Sequence, residues 1–306
     1  MRQLIIIGSG PAGYTAAIYT ARAGFNPLLI ASSVESGGEL MKTTEVENFP
    51  GFPEGLQGPE LMANFQAQAE RFGTEVLLDD VVEVDLKGDI KIVKTGLGQT
   101  FEAKAVILAT GAAYRELGLP KEKELSGHGV SWCATCDGFF FRERTIAVVG
   151  GGDSAMEEAN FLTRFASKVY LIHRRDTFKA SKIMQDRALN NPKIEVVWNS
   201  EVAELQGEGK LTGVSLRNTV DGTLSNLDLD GLFIAVGNDP RVWLVENQVE
   251  LTAEKFIAVE GRTSKTSLKG VFAAGDVIDP TYRQAITAAA SGCVAALDAE
   301  HYLQSL

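Results

Sequence analysis

The architecture of this chain follows from the residues Leu4-Ile5-Ile6-Ile7-Gly8-Ser9-Gly10-Pro11-Ala12-Gly13. Leu4–Ile7 is a continuous apolar run, which is typical of a strand buried in a parallel sheet, and helical spacing of apolar residues begins at Tyr14. A G-x-G-x-x-G turn between a strand and a helix is typical of a dinucleotide site, because glycines let the backbone approach a pyrophosphate at the helix N-terminus. Pro27–Ala31 then predicts a second strand. This order indicates a Rossmann-like unit.

The same pattern begins again in the middle of the chain. Thr145–Val149 predicts a buried strand, and the residues Gly150-Gly151-Gly152-Asp153-Ser154-Ala155 have the form G-x-G-x-x-A. A helix is expected from Ser154 to Phe165, followed by the strand Val169–Ile172. The duplication therefore predicts a second nucleotide-binding unit.

The second strand of that unit ends at His173-Arg174-Arg175-Asp176, where the adenine ribose lies in such folds. An acid at this place would favour NAD, whereas Arg174 and Arg175 supply planar donors suited to a 2′-phosphate. Lys179 adds a further positive charge nearby. Two arginines on a surface turn are the alternative interpretation, although the basic cluster stands out in a chain of net charge −11.

Short runs of alternating polarity predict added strands in both units. They are Glu75–Leu78, Val81–Val84, Ile90–Lys94 and Gln99–Glu102 in the first unit, which we interpret as an inserted meander, and Val202–Leu229 in the second. Further predicted strands are Ala105–Gly111, Ile194–Trp198, Gly231–Val236 and Gly270–Asp276, the last of which ends at Gly-Asp. Further predicted helices are Pro59–Phe72, Ser181–Leu189 and Tyr282–Leu303. The predicted fold class is α/β, with two Rossmann-like nucleotide-binding domains that each have a central parallel sheet and an added β-meander.

Between the two glycine turns lies Cys133-Ala134-Thr135-Cys136-Asp137. A Cys-x-x-Cys turn brings its sulfurs within disulfide reach, and an acid beside them can exchange protons with a leaving thiolate. Half of a zinc site and a pair of buried cysteines are the alternatives. Zinc needs two more ligands, and the only cysteine and histidines left are Cys293, His128, His173 and His301. Redox chemistry is the favoured interpretation, and we predict no metal.

The composition excludes several function classes. The chain has 306 residues and carries 29 Lys and Arg against 40 Asp and Glu, so nucleic acid and anionic membranes are poor partners. No apolar run approaches the roughly 18 residues of a transmembrane helix. Three cysteines do not make a disulfide framework, which indicates a reducing cytoplasm.

Taken together, these motifs resemble bacterial low-molecular-weight, FAD-dependent thioredoxin reductase. The resemblance spans nearly the whole chain and is carried by both fingerprints, the Cys-x-x-Cys segment, the His173–Asp176 run, Gly275-Asp276, and the stretches Thr44–Asn48 and Tyr282–Thr287. It implies FAD at the first fingerprint and NADPH at the second, within a homodimer. This chain departs from the family pattern at Glu39, at Lys179 and in the linker Gly237–Val242.

The resemblance also implies roles for individual residues. The positions that it assigns to FAD are Gly8, Ser9, Gly10, Pro11, Ala12, Gly13, Gly38, Glu39, Leu40, Thr44, Asn48, Gly111, Gly275, Asp276, Arg283, Gln284 and Ala285. The positions that it assigns to NADPH are Gly151, Gly152, Asp153, Ser154, His173, Arg174, Arg175 and Lys179. Cys136 would face the flavin, Cys133 would attack the protein substrate, and Asp137 would be the acid.

The implied activity is thioredoxin-disulfide reduction, with electrons passing from NADPH to FAD, then to the Cys133–Cys136 disulfide and on to thioredoxin. Phe140 and Phe141 are candidate docking residues for that partner. The alternatives are a flavoprotein reductase of another small disulfide or of a peroxiredoxin-type partner, and a flavin redox sensor that does not turn over.

We expect a discontinuous FAD domain, 1–114 with 244–306, and an NADPH domain, 115–243, that carries the cysteine pair. Because the pair and the NADPH site share one domain while the flavin lies on the other, we also expect the NADPH domain to rotate during turnover.

Overall fold

The computed structural model describes residues 1–34, 36–42 and 45–306. The strands are β1 (Arg2–Ile7), β2 (Leu28–Ala31), β3 (Glu45–Val46), β4 (Leu56–Gln57), β5 (Glu75–Leu78), β6 (Val81–Asp85), β7 (Lys91–Thr95), β8 (Thr100–Leu108), β9 (Ala112–Tyr114), β10 (Val130–Ser131), β11 (Thr145–Gly150), β12 (Lys168–Ile172), β13 (Ile194–Val197), β14 (Ser200–Gln206), β15 (Gly213–Asn218), β16 (Leu224–Asp228), β17 (Gly231–Ala235), β18 (Asn238–Pro240) and β19 (Val271–Ala273). The helices are α1 (Pro11–Arg22), α2 (Gly58–Arg71), α3 (Ala134–Asp137), α4 (Asp153–Leu162), α5 (Lys182–Leu189) and α6 (Ala285–Gln304), with 3-10 helices at Gly38–Lys42 and Gly138–Phe141.

The chain divides into two compact units, each with its own core. The first unit is Met1–Ala113 with Asp239–Leu306, and the second is Tyr114–Asn238. Two chain segments connect the units: one leads into the second unit and the other leads back. Inside each unit, a backbone hydrogen bond joins these two segments. In the first unit the N–H of Arg241 donates to the carbonyl of Gly111, and in the second the N–H of Arg115 donates to the carbonyl of Gly237, both at 3.0 Å.

The first unit is built on a sheet with the strand order β5-β2-β1-β8. These strands pair in parallel, with Ile5 of β1 opposite both Leu28 of β2 and Val106 of β8. β19 also pairs in parallel with β8, while β7 pairs antiparallel with the first part of β8, and β6 with β7. The turns after β1 and β8 therefore emerge at the same carboxyl edge, where parallel sheets bind ligands.

Helices α1, α2 and α6 contribute to a core on one face of this sheet. Small residues let α1 and α6 pack closely, and a Cβ on Gly292 of α6 would overlap the carbonyl oxygen of Ala12 in α1. The other face is covered by apolar side chains from the meander and from residues 242–259, including Val242, Val245 and Ile257. Residues 239–243, which the predicted boundary gave to the NADPH domain, thus belong to the first unit by their contacts.

The second unit repeats the plan with a parallel sheet in the order β10-β17-β11-β12-β13 and an antiparallel β14-β15-β16 meander. In the parallel sheet, Val148 of β11 lies opposite Leu171 of β12 and Phe233 of β17. Apolar side chains of this sheet are packed against the meander in one core cluster and against α4 and α5 in another. The turn after β11 again opens at a carboxyl edge.

The predicted α/β class with two Rossmann-like units is confirmed, with two corrections in the first meander. Glu75–Leu78 pairs in parallel with β2 and so extends the central sheet. Thr100–Glu102 and Ala105–Leu108, which were predicted as parts of separate strands, belong to one unbroken strand, because β8 pairs with β7 through Ala103 and with β19 from Val106 onward. In the ranges described, no helix has both the length and the apolar character needed to cross a bilayer.

Candidate redox and cofactor sites

The redox segment lies in the second unit. Cys133 and Cys136 form a disulfide with their Cα atoms 5.3 Å apart, and Cys136 is exposed while Cys133 is half-buried. The carbonyl of Cys133 accepts the N–H groups of Cys136 at 3.2 Å and Asp137 at 3.1 Å, which winds the segment into the short helix α3. Among the described residues, no group of three or more His, Cys, Asp or Glu side chains is arranged to hold a metal ion.

Asp137 is held beside this disulfide by a neighbouring hydroxyl. The Oγ of Ser131 donates to Oδ2 of Asp137 at 2.6 Å and accepts the N–H of Cys133 at 3.1 Å. Burial raises the pKa of the Asp137 carboxyl, and the bond from Ser131 offsets part of that rise. A carboxyl group with a raised pKa beside a disulfide is suited to returning protons to thiolates.

The aromatic residues after the cysteines divide into two groups. Phe139 and Phe140 are 48% and 47% exposed, and the guanidinium of Arg142 stacks over the Phe139 ring at 4.2 Å. Phe141 instead packs edge-to-face on Phe233 in the core of the second unit, with the ring centroids 5.2 Å apart. The Phe141 ring is partly buried above Gly231, so it is less accessible than Phe139 and Phe140, and its part in docking stays a prediction.

The first glycine turn forms an open cradle at the start of α1. Gly8 has φ +112°, and a Cβ there would overlap the carbonyl oxygen of Ala109. A Cβ on Gly13 would overlap the carbonyl of Gly8, whereas Gly10 faces open space and caps α1 without a side-chain bond. In the described part of the chain, no side chain caps the N–H groups at this helix end, which fit the pyrophosphate of a dinucleotide.

The residues around this cradle come from distant parts of the first unit. Pro11 opens α1, and the Oγ of Ser9 accepts the N–H of Gly37 at 3.0 Å, which holds the Gly38–Lys42 turn near Gly10. Leu40 on that turn packs against the core. Ala12, farther along α1, is buried against α6.

Glu39 on the same turn takes part in an ion pair that crosses the first unit. Its Oε1 lies 2.6 Å from Nη2 of Arg241, and Lys42 is 3.6 Å from its other oxygen. Arg241 is itself fixed by its backbone, because its carbonyl accepts the hydroxyl of Thr110 at 2.8 Å and its N–H donates to Gly111. Glu39 and Arg241 both lie at positions where this sequence departs from the family pattern. The structure shows that these two residues form an ion pair with each other.

Asp276 presents a buried polar atom whose surroundings suit a ligand. Its Oδ1 is buried and has no hydrogen-bond partner among the described residues. Burial and the nearby carboxylate of Asp279 raise its pKa to about 6, against the positive charges of Arg283 and Arg241. A buried oxygen without a partner is costly. This oxygen fits a hydroxyl of a sugar-like chain such as the ribityl chain of a flavin.

The turn that precedes α6 is fixed by Asp279. Its carboxylate accepts the N–H groups of Thr281, Tyr282 and Arg283 at 2.8, 2.8 and 2.9 Å. These bonds hold Arg283 at φ +49°, a left-handed conformation that is uncommon outside glycine. The bonds from Asp279 therefore fix the backbone of Arg283, which is one of the predicted FAD residues.

The remaining predicted FAD positions lie on the same side of the unit. Asn48 donates to Oε1 of Gln284 at 3.4 Å, and Gln284 forms a capping box with Thr287 at the start of α6, where Ala285 is the first residue. The N–H of Gly275 donates to the hydroxyl of Ser291 at 2.8 Å. Thr44 lies outside the described residues.

The second glycine turn has the same features in the second unit. A Cβ on Gly150 would overlap the carbonyl of Ala235, and a Cβ on Gly151 would overlap the His173 ring. Gly152 faces open space and caps α4 without a side-chain bond. This cradle, too, fits a pyrophosphate.

Asp153 and Ser154, which follow this turn, differ in their surroundings. Oδ1 of Asp153 accepts both the N–H and the hydroxyl of Ser181, at 2.7 and 2.8 Å, and so ties the start of α5 to α4. The carboxylate of Asp153 thus holds α5, and its place beside the NADPH pyrophosphate stays a prediction. Ser154 is exposed at the start of α4.

His173 joins the glycine turn to the basic cluster. Its ring is buried, with Nδ1 2.9 Å from the carbonyl of Gly150 and Nε2 2.9 Å from the carbonyl of Thr177. With both nitrogens close to backbone carbonyl oxygens, His173 supports the cradle, and its contact with NADPH stays a prediction. Its position against Gly151 also explains why that residue is glycine.

Arg174, Arg175 and Lys179 are exposed, and within the described ranges none of them takes part in an ion pair. The N–H of Lys179 donates to the carbonyl of Gly151 at 2.8 Å, which places the lysine directly beside the glycine turn. Three cations near one cradle are suited to a phosphorylated ribose.

Sequence reasoning missed the residues that hold these sites together. They are Ser131, Ser291, Asp279 and Arg241. Asp279 had a local signal, since an aspartate shortly before a Thr-Tyr-Arg turn is a common turn anchor. The others had none, because their partners are set by long-range packing.

Comparison with known proteins agrees with this geometry. Residues 2–292 match the family described as pyridine nucleotide-disulphide oxidoreductase. A thioredoxin reductase of Streptomyces coelicolor is 61% identical over 306 residues, covering 100% of this chain and 95% of that protein. A bifunctional thioredoxin reductase/thioredoxin of Mycobacterium leprae is 56% identical over 99% of this chain and 66% of its own length. A solved thioredoxin reductase from Giardia duodenalis superimposes with a TM-score of 0.94 at 42% identity, over 99% of this chain and 100% of that one.

Proposed function

This chain belongs to the pyridine nucleotide-disulphide oxidoreductase family, among its thioredoxin reductases, and from that premise we propose that it reduces the disulfide of thioredoxin with electrons from NADPH, by way of FAD and the Cys133–Cys136 disulfide. The observation that carries the proposal is the Cys133–Cys136 disulfide beside the partly buried carboxyl of Asp137, in a chain with two open glycine cradles.

The first unit would hold FAD. Gly8, Gly10 and Gly13 leave room for its pyrophosphate, and the carboxyl of Asp276 would bond to its ribityl chain. When bound, FAD accepts a hydride from a nicotinamide and passes electrons to a disulfide. In the second unit, Gly152 and the cations nearby would hold NADPH.

The cysteines of the reduced protein would then carry out thiol–disulfide exchange. The Cys133 thiolate attacks one sulfur of the thioredoxin disulfide, which forms a mixed disulfide and releases a thiolate on the partner. The Cys136 thiolate attacks the Cys133 sulfur, which restores the Cys133–Cys136 disulfide and releases the second thiolate. Each released thiolate takes one proton, and we assign the delivery of these protons to Asp137.

Phe139 and Phe140 are our candidates for the docking surface. Both rings are about half exposed and follow the redox cysteines directly, and Arg142 lies against the first of them. Exposed aromatic side chains with an arginine at their edge are the composition that protein interfaces favour. The name of the Mycobacterium leprae relative, which joins reductase and thioredoxin in one protein, supports thioredoxin as the partner.

Three further features remain proposals. The first is that the domains rotate during turnover. The cysteine pair and the predicted NADPH residues lie in one unit, whereas the predicted FAD residues lie in the other. Cys133 must also become accessible to a protein substrate, which a rotation would allow. The second is a homodimer, from the family resemblance. The third is the cytoplasm, from the low cysteine content.

The test is NADPH-driven reduction of purified thioredoxin by the purified protein, with glutaredoxin and a peroxiredoxin as comparison acceptors. We expect rapid turnover with thioredoxin, loss of turnover in Cys133→Ser and Cys136→Ser, and full activity in the control Cys293→Ser. No NADPH consumption with any disulfide acceptor, from protein with bound flavin, would refute the proposal.

A further inference from the structure

The hydroxyl of Ser131 lies at the meeting point of the acid and the redox disulfide. Ser131 ends the buried strand β10 and is 4% exposed. Its Oγ is 2.6 Å from Oδ2 of Asp137 and accepts the N–H of Cys133 at 3.1 Å. A third polar atom, the carbonyl oxygen of Cys133, lies 3.5 Å away and is a second, weaker acceptor for the same hydroxyl hydrogen.

This arrangement serves both protonation states of Asp137. A hydroxyl group has one hydrogen to donate and two lone pairs to accept with, and its hydrogen can rotate. When Asp137 is ionised, the Ser131 hydrogen points to Oδ2. When Asp137 is protonated, the carboxyl hydrogen donates to Oγ, and the Ser131 hydrogen turns to the Cys133 carbonyl. The N–H of Cys133 stays bonded to Oγ in both states.

We propose that Ser131 is a positioning residue of the redox site, whose hydroxyl holds the Asp137 carboxyl against the backbone of Cys133 both before and after the acid gives up its proton. The proposal rests on the proposed function, since it assigns Asp137 as the acid of that reaction. The hydrogen bonds of Ser131 go to the Asp137 carboxyl and to the backbone of Cys133, so Ser131 acts through Asp137.

The protons that move during thiol–disulfide exchange show which step Ser131 would assist. The dithiol loses two electrons and two protons as Cys133 and Cys136 form their disulfide, and the partner disulfide gains both as it becomes two thiols. Asp137 gives its proton to the partner sulfur that leaves, and regains one from the cysteine thiol that becomes the next nucleophile. The acid thus changes its protonation state in every cycle, and a fixed hydroxyl spares it from moving each time.

Few other charged groups lie near this acid. The Gly138–Phe141 segment that follows α3 has no titratable side chain. Helix α4, which packs against α3, carries Asp153, Glu157 and Glu158. The rise in the pKa of Asp137 comes from its burial, and the Ser131 bond opposes that rise. Removing the hydroxyl should therefore raise this pKa further.

The experiment compares two disulfides that differ in how much they need an acid. Holoprotein, reduced with dithiothreitol and desalted without oxygen, is mixed with dithiobis(nitrobenzoate), whose thiolate leaves readily, and with hydroxyethyl disulfide, whose alkyl thiolate is a poor leaving group. Ser131→Ala should lower the rate of exchange with hydroxyethyl disulfide by roughly ten- to hundredfold, which is the factor that a hydrogen bond to a charged group contributes. The rate of exchange with dithiobis(nitrobenzoate) should stay nearly unchanged. The falling limb of the pH–rate profile for the alkyl disulfide should move to higher pH.

Three controls make the test specific to the hydroxyl. Ser131→Thr keeps the hydroxyl on a β-branched side chain that suits a strand, and should restore the rate. Ser200→Ala removes another buried hydroxyl of the same unit and should change nothing. In an Asp137→Asn background, Ser131→Ala should cause no further loss.

Equal slowing of both disulfides, or an unshifted pH profile, would overturn the proposal, because a purely structural role predicts those results. Failure of Ser131→Thr to restore the rate would overturn it too. Small disulfides keep this result separate from the proposed function: a protein that exchanged with them as expected but never reduced thioredoxin would refute the choice of partner and leave the role of Ser131 standing.

Discussion

Asp276 is a residue that suits a ligand but lowers the stability of the folded chain. Its carboxyl is buried, one oxygen has no partner among the described residues, and its pKa is raised to about 6 from an ordinary value of 3.8. The folded protein therefore holds the Asp276 proton more tightly than the unfolded chain does. The stability that this proton contributes is fully present below about pH 3.8 and is lost as the pH rises through about 6.

We expect Asp276→Asn to stabilise the FAD-free protein at neutral and higher pH while weakening FAD binding. The amide removes the cost of ionising a buried carboxyl, which at about 1.4 kcal/mol per pKa unit is on the order of 3 kcal/mol. Urea unfolding of the FAD-free protein, followed at about pH 5 and about pH 8, should show a gain that grows with pH. Exposed Asp228→Asn is the control. A gain independent of pH would contradict this account.

At the scale of elements, both cradles depend on close backbone approach between a helix and its neighbours. In the first unit, α6 lies so near α1 that Gly292 has no room for a side chain. In the second unit, the His173 ring fills the place where a Gly151 side chain would lie, and each of its nitrogens lies 2.9 Å from a backbone carbonyl oxygen. The glycines outside the phosphate turns therefore matter for packing as much as those inside them.

Gly292→Ala should destabilise the first unit by roughly 1–3 kcal/mol, because the new methyl group meets the backbone carbonyl of Ala12, which cannot move without displacing α1. Gly96→Ala is the matched control, since a Cβ there makes only ordinary contacts. Thermal unfolding of both variants measures the difference. Equal stability of the two variants would show that the helices separate at little cost.

The turn after β12 should decide the choice of coenzyme. Changing Arg174 and Arg175 to Ala should raise the KM for NADPH by roughly ten- to hundredfold for each arginine, because each charge-assisted phosphate bond contributes about 1.5–3 kcal/mol. The KM for NADH should change little, since NADH has no 2′-phosphate. Exposed Arg187→Ala serves as the control. An equal loss for both coenzymes would mean that the arginines have a structural role.

At the scale of the whole molecule, the second unit is one continuous segment inserted into a discontinuous first unit. Its two ends lie side by side, because the N–H of Arg115 bonds to the carbonyl of Gly237, and its core is formed by its own strands and helices. A segment with adjacent ends and a separate core has the properties of a domain that folds alone.

Residues 114–238 alone should therefore fold cooperatively and bind NADP⁺. Circular dichroism during thermal unfolding and calorimetric titration with NADP⁺ would measure the two properties. A fragment that ends before β17 is the control and should stay unfolded, because β17 is the strand between β10 and β11. If residues 114–238 fold but bind no NADP⁺, the coenzyme site needs residues of the first unit.

Local patterns determined much of this protein. The strand, glycine turn and helix order identified both units, and the Cys-x-x-Cys spacing identified the disulfide, because each depends on neighbouring residues whose geometry the backbone imposes. Periodicity could not tell that β8 is one strand or that β5 extends the central sheet, since a strand has the same alternation whichever neighbour it pairs with.

Tertiary structure alone decided which side chains meet. Glu39 and Arg241 are 202 residues apart and form an ion pair because the Gly38–Lys42 turn and the returning chain reach the same edge of one sheet. Phe141 packs, partly buried, against Phe233 of the core while Phe139 and Phe140 stay exposed. Ser131 reaches Asp137 because a strand end and a short helix pack together. Sequence reports the local conformation and the buried face of each element, whereas long-range contacts depend on how the elements pack, which no single stretch of the chain encodes.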